Sequence, residues 1–442
     1  MTKWRSRNLM VQTEFETDIS DLGHDGRGVA HVDGKAVFVA DALPGERVRA
    51  RLLRKHRHFN EAQAEEILRA SPDRVAPRCA HYGVCGGCAL QHLEPSAQIA
   101  AKQRVLAENF ARIGKVEPRR WLSPLTAEPW GYRRRGRLSV KHVPKKGKTL
   151  LGFRERDSRF VADISRCEVL HPALGLKLDA LGALLNALEG AAAIPQIEFA
   201  AGDDLMALVF RHLAPLSQGD HDRLVAFGRE HGFAILLQPG GNDSVHALFP
   251  QHAQLHYRLH DHDLDLHFEP LDFVQVNPAL NRSMIALTLQ LLDPQPADRV
   301  IDLFCGLGNF SLPIARHAGF VCGVEGDAGL IERARANAAR NGVANVEFVV
   351  GDLSLDPRGA AWARESWDKW LLDPPRTGAA ALLEHLPKKS VRRVVYVSCH
   401  PGSLARDAGT LVQRHGFTLA AAGAMDMFPH TAHVESIALF ER

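Results

Sequence analysis

The chain has 442 residues, 45% of them hydrophobic and 24% charged, with a formal net charge of +3. That length exceeds one ordinary domain, and the composition is that of a globular protein. No apolar run approaches the length of a membrane-spanning helix, and Met1–Gln12 is polar and basic with no apolar core, so neither a spanning segment nor a secretory signal is expected and the cytoplasm is the expected location.

The small net charge conceals an asymmetry. Residues 1–150 carry 28 Lys/Arg against 16 Asp/Glu, and the remainder carries 26 against 35. A basic third joined to an acidic remainder points to a polyanion held by one part and processed by another. The seven cysteines are an odd number in a chain expected to be cytosolic, which favours metal binding or catalysis over a disulfide framework.

Residues 14–68 read as a small β module. Asp33-Gly34 lies between two β-prone runs, a hairpin signal. From Glu46 the chain alternates basic and apolar residues, the period of a half-buried strand with a cationic face. Six Lys/Arg fall between Arg47 and Arg57, and no acid interrupts the run before Glu61. RNA contact is the favoured reading, with a charge-protected sheet edge as the alternative.

Cys79, Cys85 and Cys88 follow, with Cys167 far downstream. Four soft ligands in this spacing suit structural zinc or an iron–sulfur centre about equally. They do not form the CxxxCxxC loop of a radical enzyme. Residues 96–114 have helical periodicity. A second basic tract, Arg133–Lys148, has eight Lys/Arg and no acid, and Trp130 and Tyr132 introduce it, a composition suited to phosphate contact and base stacking. Residues 150–265 read as mixed α+β without a catalytic signature. Their histidine-rich end, His252–His267, reads as a pair of strands around Asp261-His262-Asp263 in preference to a metal site, because no ligand spacing stands out.

From about Phe268 strands and helices alternate, the pattern of an α/β domain with a mainly parallel sheet. The apolar strand at Arg299 runs into Phe304-Cys-Gly306-Leu-Gly308-Asn309 and then a helix, and the two glycines allow close backbone approach to a ligand. The next strand ends in Glu325, placed to bind ribose hydroxyls. A third ends near Asp352, where an adenine edge could be read. A dinucleotide-binding unit would have a third glycine, but Ser311 stands there. The order resembles that of class I S-adenosylmethionine-dependent methyltransferases over roughly the last 40% of the chain.

Three further segments concern chemistry. Asp373-Pro-Pro-Arg-Thr-Gly378 closes a strand with a carboxylate and a stiff turn. Tyr396-Val-Ser-Cys399 ends the next strand with a thiol, and Asp426-Met-Phe-Pro-His-Thr-Ala-His-Val-Glu435 follows. A uracil ring is a poor nucleophile at C5. Thiolate addition at C6 activates it, and a base must afterwards remove the C5 proton so that the thiol can leave. Cys399 and Glu435 can supply those two roles, whereas Cys305 and Cys322 read as buried small hydrophobes.

These segments, with Phe273-Val-Gln275-Val-Asn277, resemble the RNA uracil-C5-methyltransferase family. The resemblance implies that Cys399 is the nucleophile and Glu435 the base, and that Gln275, Phe304, Asn309, Glu325, Asp352 and Asp373 line the cofactor pocket. His400 departs from the Asn or Asp usual in the family. The cysteine cluster is similar to that of the branch carrying a [4Fe–4S] centre, which implies Cys79, Cys85, Cys88 and Cys167 as its ligands. The N-terminal module resembles a TRAM domain. Together these imply the bacterial 23S ribosomal RNA branch and a multidomain α/β chain. Its parts would be a TRAM or OB-like β-barrel at 1–70, a central α+β domain with the iron–sulfur site at 71–265, and a Rossmann-like methyltransferase domain at 266–442. Ribosomal RNA is the expected partner, with no membrane and no obligate protein partner, so a monomer is the simplest state. The alternatives are uridine methylation in tRNA, a cytosine-C5 methyltransferase and a non-catalytic RNA-binding iron–sulfur protein. The second normally has a Pro-Cys or Thr-Cys context, unlike Ser398-Cys399, and intact Cys399, Glu435 and glycine turn argue against the third.

Overall fold

The computed structural model describes residues 14–156, 158–386 and 391–442. Met1–Gln12, read above as polar and basic, lies outside the described residues. The chain divides into two compact units. One comprises Met1–Gly83, Cys88–Ala101 and His430–Ala432; the other comprises Val84–Gly87, Lys102–Pro429 and His433–Arg442.

In the first unit, Glu14–Asp18 pairs with Arg47–Lys55, and Asp21–Leu22 pairs with Gly28–Val32. One continuous segment thus supplies both edges of a six-stranded sheet, which wraps into a barrel. Val48 and Ala50 alternate inward with Arg47 and Arg49 outward, and they join Ile19, Val37, Val39 and Ala62 in the barrel core. Asp33 and Gly34 both have positive φ, 51° and 77°, as the two-residue turn between Gly28–Val32 and Lys35–Ala40 requires.

The basic run on the barrel differs from its linear reading. Neighbouring strands supply the acids that the run itself lacks. Arg47 meets Glu16 at 3.4 Å, Arg49 meets Glu16 and Glu66, Arg51 meets Glu65, and Arg54 lies 3.8 Å from Glu61. Cross-strand neighbours were invisible to a reading along the chain.

The second unit contains two large sheets. A seven-stranded mixed sheet includes Arg135–Val143, Gln196–Ala201, Met206–Arg211 and Phe233–Gln238, covered by helices Leu178–Ala187 and Gln218–His231. The hairpin Leu255–Leu259/Leu264–Phe268 follows, so the histidine-rich stretch is a pair of strands as read.

The eight-stranded sheet runs in the order Val346–Val350, Phe320–Glu325, Arg299–Leu303, Lys369–Leu372, Arg393–Ser398, Glu435–Glu441, Thr418–Met425 and Arg120–Trp121. The first five are parallel and Glu435–Glu441 inserts antiparallel. The parallel strands are nearly all apolar because helices cover both faces. The edge strand Arg120–Trp121 comes from far outside the C-terminal domain in sequence. Among the described residues no helix is long and apolar enough to cross a membrane.

Candidate active site

The parallel strands end together, and their carboxyl ends carry the predicted residues. Register places Leu303 beside both Val324 and Leu372, so Phe304, Glu325 and Asp373 emerge side by side. Leu372 is opposite Tyr396, which sets Cys399 three residues further along the adjacent strand. Such a strand-end edge is where open α/β sheets bind ligands.

The glycine turn is shaped for close approach. Phe304 and Gly308 have φ of 70° and 96°. A Cβ on Gly306 would meet nothing within 4 Å, which leaves that side of the turn open. Glu325 accepts hydrogen bonds from the backbone N–H of Gly306 (3.2 Å) and of Gly326 (2.7 Å), so its carboxylate is held across the mouth of the turn. Asp352 is exposed and accepts from the Ser354 hydroxyl (2.6 Å) and N–H (2.9 Å), which lower its pKa. Asn309 is half-buried at the end of the turn. Its side-chain amide exchanges bonds with Asn281 (2.9 and 3.0 Å) and accepts from the Tyr257 hydroxyl (2.9 Å). Its side chain therefore braces the turn. Gln275 is half-buried in the segment before helix Pro278–Leu292, which Asn277 caps, and Phe273 is 61% exposed.

Asp302 was missed by the motif reading. It is fully buried on the strand leading into the turn, and burial, with Asp373 and Glu325 adding to it, pushes its carboxyl up to about 7 despite a bond from the Ser311 hydroxyl. Its other oxygen, Oδ1, is buried with no hydrogen-bond partner. The only sequence signal was a carboxylate inside an apolar strand. Ser311, standing where a third glycine would be, has a use here as the donor to Asp302.

At the next strand end, the antiparallel pairing brings Cys399 and Glu435 together. Ser398 lies opposite Ser436, so the next pair along is Cys399 and Glu435. Glu435 is only 5% exposed. Burial and the neighbouring Asp373 push its carboxyl up to about 8, opposed by Lys102 and Arg376. Burial, then Glu435 and Asp373, push the Cys399 thiol up to about 11, while Arg376 pulls it down. Burial and Glu325 raise Asp373 to about 7. The site is thus an acidic, desolvated pocket that holds protons near neutral pH.

Lys102 supplies the buried cation. Its ammonium donates to Asp426 (2.6 Å) and to the carbonyl of Phe428 (2.9 Å), which fixes the segment leading to Glu435. Nothing in its helix, Pro95–Asn109, marked it. The Asp373 turn is held from behind, because Asp407 accepts from the Tyr396 hydroxyl (2.7 Å) and from the Ala379 N–H (2.8 Å). Burial, Arg376, Lys102 and Arg133 lower the pKa of His433, and its Nδ1 lies 2.9 Å from Arg376.

The sequence compares closely with known proteins. Family descriptions match in three places: "TRAM domain" at residues 8–64, "Methyltransferase domain" at 294–396 and "tRNA (Uracil-5-)-methyltransferase" at 358–442. The 23S rRNA (uracil(1939)-C(5))-methyltransferase RlmD of Xanthomonas oryzae pv. oryzae is 60% identical over 99% of both chains. The chain belongs to the RlmD family of 23S rRNA (uracil-C5)-methyltransferases. The RlmD of Stenotrophomonas maltophilia is 57% identical, again over 99% of both chains. A solved structure, the Pyrococcus abyssi tRNA (uracil-54, C5)-methyltransferase in complex with S-adenosyl-L-homocysteine, superposes with a TM-score of 0.71 over 96% of this chain and 100% of that chain. At 23% identity it shows the shared fold.

Within this RlmD-family chain, the departure at position 400 has a structural account. His400 is the N-cap of helix Pro401–His415, and its Nδ1 accepts from the Ser403 N–H at 3.1 Å. Asn and Asp are strong N-caps. The imidazole here performs the same acceptor function, one residue after Cys399.

Proposed function

We propose that this protein methylates C5 of a uridine in 23S rRNA from S-adenosylmethionine, through a covalent bond between Cys399 and C6. The observation that carries this reading is the meeting of Cys399 and Glu435 at paired strand ends beside the glycine turn. The fit to S-adenosylmethionine rests on the open side of that turn and on Asp302, whose unsatisfied Oδ1 suits a cationic ligand. When bound, this cofactor supplies an electrophilic methyl group.

The chain's own residues do the rest. The Cys399 thiol gives its proton to solvent water, a loss that Arg376 favours. The thiolate forms a bond to C6, and the ring electrons move toward the C4 carbonyl oxygen, which makes C5 nucleophilic. After C5 has taken the methyl group it carries both that methyl and its original proton. Glu435 removes the proton, the C5–C6 double bond re-forms and the C6–S bond breaks. A carboxyl held near 8 is a much stronger base than an ordinary glutamate. Asp373 and Glu325 line the cofactor side, and Gln275 and Asp352 flank it. His433 is the next candidate base.

RNA is held by the 1–70 barrel and the central 71–265 domain, and residues 266–442 carry the chemistry. In the Arg133–Lys148 tract, Arg134 and Arg137 are paired to Asp203 and Glu198, and Tyr132 is buried with its hydroxyl on the Pro429 carbonyl. Tyr132 is therefore no stacking platform, a correction to the sequence reading. Arg133 and Arg135 are half-buried and donate to backbone carbonyls, whereas Lys141, Lys145 and Lys146 are exposed, make no ion pair among the described residues and are the cations best placed for phosphate.

Cys79, Cys85, Cys88 and Cys167 hold a [4Fe–4S] cluster in this reading. Four thiols are a complete donor set, Cys85 and Cys167 pack against the same apolar cluster, and Cys85 Sγ accepts from the Gly87 N–H at 3.4 Å, the kind of N–H to sulfur bond that tunes such centres. Anaerobically purified protein should be brown with about four irons per chain; stoichiometric zinc without iron would refute it. Methyl transfer needs no electron, so the cluster's place is structural or in positioning RNA.

The deciding experiment uses RNA containing 5-fluorouridine. Fluorine cannot leave as a proton, so wild-type protein should form a methylated adduct stable to denaturation, and Cys399→Ala should form none. Absence of an adduct, under conditions where normal RNA turns over, excludes covalent catalysis. Mapping 5-methyluridine in rRNA and tRNA from cells with and without the protein identifies the substrate.

A further inference from the structure

The hairpin Leu255–Leu259/Leu264–Phe268 carries side chains that the methylation chemistry does not use. Its apolar face, including Leu255, Leu259, Leu264, Leu266 and Phe268, is buried. Pairing sets His256 directly opposite His267 on the other face, and the period of two adds Asp265 to that same face. One ring nitrogen of each histidine and a carboxylate oxygen of Asp265 lie within 4.8 Å of one another. His256 Nδ1 is 2.6 Å from Asp265 Oδ1, and His267 Nε2 is 3.2 Å from Asp265 Oδ2. The far nitrogen of His256, Nε2, meets Asp204 Oδ2 at 3.0 Å. His267 Nδ1 is buried with no hydrogen-bond partner.

We propose that His256, Asp265 and His267 bind a structural divalent transition ion of the zinc class, with Asp204 as the outer carboxylate that orients His256. Two imidazoles and a carboxylate are a zinc donor set, and a fourth position remains for water. Ligand atoms of a tetrahedral zinc site stand roughly 3.3 Å apart, given metal–ligand bonds near 2 Å. The observed separations, 2.6 and 3.2 Å, lie at or somewhat below that spacing. A carboxylate on the remote nitrogen of a ligating histidine is the usual way its tautomer and ring plane are fixed. The competing arrangement is a His256 imidazolium held between Asp204 and Asp265, with a proton in place of the ion.

The site has something to stabilise. The backbone of two of its ligands carries helix Ala328–Arg340. Asn341 bonds both to Asp265 N (2.7 Å) and Asp265 O (2.9 Å), and Asn337 to His267 N (2.9 Å) and His267 O (3.1 Å). Asn337 also donates to the Leu307 carbonyl (3.3 Å), inside the cofactor turn. On the other side, Asp203, the neighbour of Asp204, accepts from the Arg258 N–H at 2.9 Å and from Arg134 at 2.6 Å. An ion here fastens the two strands of the hairpin, the seat of the glycine turn, to each other, and Asp204 links His256 to the central sheet.

The test uses the full-length protein with its divalent ions removed by chelation, then titrated with Zn(II) alone and, separately, with Co(II) as a spectroscopic probe. Cysteines that have lost their cluster would bind these ions as well, so the readout is a difference between variants. His267→Gln and Asp265→Asn should each bind one ion fewer per chain than wild type. The cobalt absorption lost with that ion should lack thiolate charge-transfer bands. Asp204→Asn should keep the ion count and weaken affinity about 10- to 100-fold. Zn(II) should raise the melting temperature of wild type by more than that of His267→Gln. Asp265→Asn, which keeps the size and one acceptor oxygen, covers the case in which His267→Gln fails to fold. Equal ion counts and equal zinc-dependent melting shifts in all four proteins overturn the proposal and leave the proton-held network.

Discussion

Replacing Glu435 by Gln keeps the shape of the side chain and removes its charge and basicity. The carboxyl titrates near 8 in the folded protein against 4.5 for an ordinary glutamate. Between those two values the folded state binds more protons than the unfolded state, so wild-type stability falls as pH rises through that window. At about 1.36 kcal/mol for each pH unit crossed, the loss accumulates to at most ~5 kcal/mol above pH 8 and ~3 kcal/mol at pH 7. Gln does not titrate. Urea unfolding of both proteins from pH 5 to 9 should therefore show Glu435→Gln gaining on wild type up to about pH 8, with a constant gap beyond. Parallel stability curves across the range would mean that Glu435 is ionised throughout and that its burial is not what sets its basicity. Catalysis should respond in the opposite sense. Loss of a general base slows a proton-transfer step by typically 10²- to 10⁴-fold. Glu435→Gln should transfer one methyl group and then stall, so that unmodified RNA and S-adenosylmethionine give a methylated protein–RNA adduct on a denaturing gel. Adding Cys399→Ala should remove that adduct. Turnover by Glu435→Gln near the wild-type rate would refute the assignment and point to His433.

Lys102→Met leaves Asp426 buried without its cation and should cost about 3–5 kcal/mol of stability, measured by urea unfolding. Because Lys102 also holds the Glu435 pKa down, the pH–rate profile of product release should move to higher pH in any folded fraction. His400→Asn should keep the helix cap and near-normal stability, whereas His400→Ala should lose about 1 kcal/mol, read from the urea midpoint. Charge reversal at Lys141, Lys145 and Lys146 should flatten the log–log salt dependence of RNA binding by roughly 0.7 for each phosphate no longer neutralised. Reversal at Arg49 and Arg51, already paired to Glu66 and Glu65, should change that slope less. Equal effects of the two sets would show that the cross-strand pairs open on binding.

Local preferences were readable along the chain. Asp33-Gly34 dictates its turn because few residues tolerate two successive positive φ values. An apolar run ended by Gly306 and Gly308 announces a strand and a ligand-accommodating turn, and the thiol at Cys399 and the carboxylate at Glu435 are recognisable from chemistry plus immediate context. What tertiary structure decided was who stands beside whom. The acids that neutralise Arg47–Arg54 lie on other strands, Tyr132 turns inward, and Lys102 reaches Asp426 from a helix more than three hundred residues earlier. The antiparallel return strand is what sets Glu435 beside Cys399, and with it the two displaced titrations. His256, Asp265 and His267 show no ligand spacing in one dimension, yet a hairpin register places them on one face. Backbone preference is a property of a few adjacent residues and is written locally. Burial, charge pairing and pKa depend on distances set by the register of remote strands, which no short stretch of sequence contains.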